Sequence, residues 1–138
     1  MDYKKLADHF MANNAFARHI GIVVTDVGLG YAKGELEIQE EYTNFSKGLH
    51  GAVYYALADT LAGIASKTYG KSSVTLEGKM NFIRAAKEGK IHAVVEQVNQ
   101  GKATGVYEGK VYDQDDKLVA FATYTFYMLD KEIVLDQP

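Results

Sequence analysis

Asp59 stands alone among small apolar residues. It falls in the run His50-Gly-Ala-Val-Tyr-Tyr-Ala-Leu-Ala-Asp59-Thr-Leu-Ala-Gly-Ile-Ala65, whose apolar positions repeat at helical spacing. An ionised carboxylate carried into such a setting without a partner is costly. Such a group either does chemistry, as a base or a nucleophile, or is held by backbone or by Thr60. Apolar surroundings raise its pKa and strengthen it as a base. Gly51 opens the same run eight residues earlier. At a helix start its N–H points outward, unpaired, at the positive end of the helix dipole. Glycine also lets an oxygen approach closely. That makes a donor for a developing oxyanion, or simply a tight loop-to-helix junction. Asn44 offers a side-chain amide donor, or an Asx turn in a polar loop. His50 is a general-base candidate by type, and equally a residue that shapes the turn. On one straight helix Gly51 and Asp59 lie about 12 Å apart, too far to grip one carbonyl together. Either one of them alone is catalytic, or Gly51 of one chain meets Asp59 of another, which requires a dimer.

The elements that must position these residues follow from periodicity. Leu6, Phe10 and Met11 predict a short amphipathic helix over 2–13, with Asn13-Asn14 as its stop. Residues 21–26 are β-branched and strand-like, and Gly28-Leu-Gly30 signals a turn. Over 31–39 the pattern alternates: Tyr31, Lys33, Glu35 and Glu37 on one face, Ala32, Leu36 and Ile38 on the other. Residues 40–49 are polar and turn-rich. A helix over 51–69 carries an apolar stripe of Val53, Leu57, Leu61, Ile64 and Ala65, kept thin by alanines and Gly63, and Gly70 ends it. Strand patterns occupy 73–83, 91–97, 105–112 and 118–128, separated by turns at 86–89, 99–101 and 113–116. Helices against an antiparallel sheet make an α+β domain over 1–138.

Composition removes several classes of function. The net charge is -3 and no long basic cluster occurs, which argues against a nucleic-acid partner. The chain has no cysteine, so disulfides, thiolate metal sites and a cysteine nucleophile are excluded. No apolar run approaches the roughly 20 residues that span a bilayer, and Met-Asp-Tyr-Lys-Lys is no signal segment. The expectation is a cytoplasmic protein without a membrane partner.

Asn44-Phe-Ser-Lys-Gly-Leu-His50-Gly51, followed by Leu57-Ala58-Asp59, resembles the signature of hotdog-fold acyl-CoA thioesterases. The most similar subgroup is the phenylacetate-degradation type, related to 4-hydroxybenzoyl-CoA thioesterases. Ala52 stands where that pattern has a second glycine. Val74-Thr75, Asn81-Phe-Ile-Arg-Ala-Ala86 with Gly89, Gly101-Lys102 and Leu118-Val-Ala-Phe-Ala-Thr-Tyr-Thr-Phe126 resemble later family segments in the right order, with Ala85 in place of a proline. The resemblance implies a hotdog fold: a long central helix wrapped by a curved antiparallel sheet. It implies homodimers with shared sites at the interface, often paired into homotetramers.

It also implies chemistry. An acyl-CoA thioester is hydrolysed without metal or organic cofactor. Asp59 acts as base or nucleophile, and the Gly51 N–H polarises the carbonyl. Asn44 contacts the thioester oxygen or the water, and His50 lies beside them. Thr75 would hold Asp59 or its water, unless it is there only for β propensity. Arg84 and Lys102 are the backed candidates for coenzyme A phosphates, with Lys87 and Lys90 as lesser ones; each can equally be a solvated turn charge. Tyr54 and Tyr55 either line the acyl pocket or pack the core. Two other readings stand beside this one. One is a non-catalytic hotdog module that binds acyl-CoA or acyl carrier protein. The other is a hotdog hydratase, whose carboxylate–histidine spacing is not seen here.

Overall fold

The computed structural model describes residues 1–135. Helix α1 spans Tyr3–Ala12, α2 Ala15–His19 and α3 Gly51–Lys67; strands are β1 Val23–Gly28, β2 Tyr31–Glu37, β3 Lys71–Phe82, β4 Lys90–Gln100, β5 Thr104–Tyr112 and β6 Leu118–Glu132. The strands form one six-stranded sheet in the order β1-β2-β4-β5-β6-β3, antiparallel at every pairing.

The sheet wraps α3. Leu57, Ala58, Leu61, Ala62, Ile64 and Ala65 are fully buried, so the helix carries more than a single apolar stripe. Close approach depends on small residues. A Cβ on Gly34 of β2 would stand 2.8 Å from both a Leu61 methyl and the Val23 carbonyl, so only glycine lets the strand pass beneath the helix. Tyr107, Tyr124, Phe126, Val95 and Val111 fill the sheet side of the core. The alternation in β2 is as expected, with Ala32, Gly34 and Leu36 inward.

Several boundaries differ from the sequence reading, among them β1, which runs Val23–Gly28 and takes in Gly28, and two differences have local causes. Ala15–His19 forms α2, capped by the Asn14 side chain, which accepts from the Ala17 N–H at 3.1 Å. Five residues are too few to show a helical period. Helix α3 ends at Lys67, two residues before the expected limit, because the Thr68 hydroxyl turns back onto the Ala65 carbonyl at 2.7 Å. Gly70 then takes a left-handed turn at φ 86° into β3. Strands β4 and β6 outrun their expected ends, to Gln100 and Glu132. No disulfide closes the fold.

Strand β3 is an edge: it pairs with β6 on one side only. Its register shifts between Thr75 and Glu77, and Val74, Leu76, Phe82 and the following Ile83 are exposed. Among the described residues no helix is long and apolar enough to cross a membrane.

Candidate active site

The loop before α3 is built around Asn44. Its Oδ1 accepts from the N–H of Ser46 at 2.9 Å and of Gly48 at 3.2 Å, which closes an Asx-type turn. The structure shows the Asx turn, and the amide nitrogen has no acceptor among the described residues. His50 is the N-cap of α3. Its Nδ1 accepts from the Ala52 N–H at 3.0 Å, which places the ring proton on Nε2. This histidine shapes the helix start, and its basic nitrogen is already occupied.

With Ala52 and Val53 bonded back to His50, the Gly51 N–H is left without a partner among the described residues. Gly51, Asn44, Tyr54, Phe82 and Arg84 line one cavity of about 360 Å³. The Phe82 ring covers Gly51 so closely that a Cβ there would stand 3.0 Å from it. Tyr54 is a core residue with a second duty: its hydroxyl accepts from the buried Ala86 N–H at 2.7 Å and donates to the Arg84 carbonyl at 3.4 Å. It thereby pins the loop that presents Arg84.

Asp59 lies elsewhere. It faces Tyr55, Thr75 and Tyr124, and its Oδ1 is buried without a hydrogen-bond partner. Burial raises its pKa, while the nearby Lys67 ammonium and the Thr75 hydroxyl pull it down. A backbone or Thr60 partner for Oδ1, the structural alternative, is not present. Tyr55 is half-buried with its hydroxyl over Gly78, and its pKa is raised by burial and by the Asp59 charge.

One chain thus assembles two groups, Asn44–Gly51–Tyr54–Arg84 and Asp59–Thr75–Tyr55, at separate places on α3. The phosphate candidates divide too. Arg84 adjoins the Gly51 cavity. Lys102 sits in the β4–β5 turn at the opposite end of the sheet, beside the Gly105–Phe126–Thr75 row. Lys90 pairs with Glu35 at 3.1 Å, and Lys87 lies among Glu88, Asp113 and Asp115. Sequence reasoning missed two residues. Phe82 entered only as part of the Asn81-Phe-Ile-Arg-Ala-Ala86 segment, with no role of its own. Lys67 was not singled out, although its i, i+4, i+8 relation to Gly63 and Asp59 was there to see. No group of three or more candidate metal ligands occurs among the described residues.

Residues 47–120, which include Gly51, Asp59, Thr75 and Arg84, match the family model described as the thioesterase superfamily. The chain is 30% identical to the acyl-coenzyme A thioesterase PaaI of Escherichia coli strain K12 over 78% of each chain. It is 31% identical to the 1,4-dihydroxy-2-naphthoyl-CoA hydrolase of Listeria monocytogenes, over 81% of this chain and 94% of that one. The structure of the E. coli PaaI protein from the phenylacetic acid degradation operon superposes with a TM-score of 0.88 at 26% identity, covering 96% of this chain and 99% of that one. With its helix wrapped by a six-stranded antiparallel sheet and more than half its length in the family match, this chain belongs to the thioesterase superfamily and has the hotdog fold.

Proposed function

We propose that this protein hydrolyses an acyl-CoA thioester, in a site that two protomers share. The observation that carries this reading is the pair of incomplete half-sites on α3. Near its start, two unused donors, the Gly51 N–H and the Asn44 amide, face an open cavity. Farther along, a carboxylate keeps one oxygen buried and unbonded. Donors without a base and a base without donors complete each other when a second copy brings Asp59 to Gly51.

In the shared site the thioester oxygen accepts from Gly51 and Asn44. Asp59 takes a proton from water, the water oxygen bonds to the carbonyl carbon, and negative charge gathers on the oxygen facing the two donors. Collapse of that intermediate breaks the C–S bond. A thiolate with a conjugate acid near pKa 8.5 leaves with little need for an acid. Direct attack by Asp59 gives a mixed anhydride that water then opens, with the same overall balance. Thr75 steadies the carboxylate, and Arg84 and Lys102, from opposite ends of the sheet, reach the coenzyme phosphates from different protomers. The homodimer or homotetramer and the cytoplasmic setting belong to this proposal, and the relatives named as an acyl-coenzyme A thioesterase and a CoA hydrolase support it.

Release of free thiol over a panel of acyl-CoAs, with Asp59→Asn alongside, tests the reading. The expected result is turnover that the substitution abolishes. Parent and variant that bind acyl-CoA and are equally inert would establish a binding module instead.

A further inference from the structure

Lys67 closes α3, eight residues beyond Asp59. Asp59, Gly63 and Lys67 recur every fourth residue and share one stripe of the helix. Strand β3 faces that stripe. Thr75 acts on the Asp59 carboxylate, and Ser73, two residues earlier on the same strand, meets Lys67. Helical side chains lean toward the N-terminus, and that of Lys67 does so here. Its Nζ reaches back to the Gly63 carbonyl at 3.3 Å, one turn and about 6 Å of axis from Asp59. Gly63 has no side chain to stand in its way.

The seam between α3 and β3 is filled at this end, and the filling anchors the ammonium. Ser66 and Ser73 are buried with their hydroxyl oxygens 2.6 Å apart, and Ser66 donates to the Gly63 carbonyl at 2.8 Å. The Ser73 hydroxyl therefore donates to Ser66, which leaves its oxygen to accept from Lys67 at 3.1 Å. The Ser73 carbonyl lies at 3.4 Å, and the centre of the Phe10 ring of α1 at 5.4 Å. Every one of these partners is neutral. Among the described residues no carboxylate stands at ion-pair distance from Lys67. Glu132 lines the cavity beside it, together with His9 and Lys131.

Around Asp59 the other titratable groups are neutral too. Tyr55 of the same helix and Tyr124 of β6 are kept protonated by burial and by the Asp59 charge, and Tyr107 of β5 by burial. Strands β1, β2 and β4 pack on the helix with Val24, Val27, Leu36, Ile91, Ala93 and Val95, and α2 with Ala17. Burial raises the pKa of Asp59 against the Lys67 charge, and burial presses Lys67 down to about 8 against the Asp59 charge. Each charge is the other's counterweight along the stripe.

We propose that Lys67 is a positioning residue for the thioester reaction: its anchored ammonium keeps Asp59 ionised at neutral pH, so that the carboxylate enters each turnover as a base. The proposal rests on the thioesterase reading above. Lys67 touches no reacting atom and acts through Asp59 alone.

The pH profile of kcat/KM in thiol release tests this. Lys67→Met removes the charge and keeps the reach of the side chain. Its acid limb should move to higher pH by about one unit, the scale of one charge at an effective dielectric near 20. At a pH on that limb the loss is roughly tenfold. Lys67→Arg should keep the parent profile. An acid limb that stays in place in Lys67→Met, or that moves as far in Lys67→Arg, would overturn the proposal. Carbon NMR of the labelled Asp59 carboxyl reads the same coupling without turnover. If no acyl-CoA releases thiol, the hydrolytic reading fails by itself and this titration decides: a displaced Asp59 midpoint in Lys67→Met sustains the coupling, and an unmoved one ends it. Should Lys67→Met not fold, Asp59→Asn supplies the reciprocal measurement. The Lys67 ammonium, followed through its Cε, should then titrate lower than in the parent, because coupling between two sites is mutual. An unchanged Lys67 midpoint there would overturn the proposal as well.

Discussion

Asp59 combines a raised pKa with a buried, unbonded oxygen, and the two properties bear on stability and rate in opposite ways. Burial is the main cause of the raised value. Between the unfolded and folded pKa values the native chain holds the extra proton, so stability falls as pH rises through that window. Above both values the ionised carboxylate burdens the fold in full. Asp59→Asn removes that burden. At pH 7 the variant should melt above the parent while thiol release drops by about 10²- to 10⁴-fold. A variant that melts lower, with its rate intact, would make Asp59 a structural group. The parent rate should also fall off on acidification at a pH above the ordinary carboxylate range, since the protonated form cannot accept the water proton. Asp59 was legible in the chain because a carboxylate is out of character with its apolar neighbours, and Asn44 and Gly51 were legible through their spacing to His50 and Asp59. Lys67 was not, because a lysine in a last helical turn suits the dipole whether or not anything else faces it.

Elements decide whether those residues meet anything. Helix α3 starts where His50 caps it, and the Arg84 loop stays beside that start through the Tyr54 hydroxyl. Tyr54→Phe leaves the buried Ala86 N–H without an acceptor and should cost about 1–3 kcal/mol in denaturant unfolding. Coenzyme affinity should weaken with it, because Arg84 is no longer held. Gly51→Ala keeps the backbone donor but brings a Cβ to 3.0 Å from the Phe82 ring. A displaced ring should lower kcat/KM about tenfold, the scale of sub-ångström misplacement. Gly51→Ala combined with Phe82→Ala should regain most of the loss. The strands were readable because period-2 alternation survives in β2 and β5, where one face packs against α3 and the other does not. In β3 most side chains are exposed and a register shift interrupts the pattern, so its inward faces and the seam with α3 emerge only in three dimensions. The division of Arg84 from Lys102 is likewise a property of strand order, which the sequence does not print.

At the scale of the molecule the unpaired side of β3 is the feature to explain. A twelve-residue edge with exposed Val74 and Leu76 invites pairing with another chain, and a two-fold pairing there would bring two copies of α3 side by side. A shared site makes a sharp prediction. Asp59→Asn and a protein disabled at Gly51 by a bulky substitution are each inactive alone. Mixed, unfolded and refolded together, they should recover roughly a quarter of parental activity, because half the dimers are mixed and each mixed dimer keeps one intact site. No recovery, with mixed dimers shown by mass spectrometry, would place the whole reaction within one chain.

The lack of cysteine acquires a practical meaning at this scale. In the proposed reaction the enzyme works in its own product, a free thiol that attacks disulfides and, once oxidised, is attacked by thiolates. This chain has no sulfhydryl to offer in exchange. It can form no mixed disulfide with released coenzyme, and no thiol-trapping reagent used to follow turnover can alkylate or block it through a cysteine. A continuous thiol assay therefore reads the reaction without poisoning the catalyst.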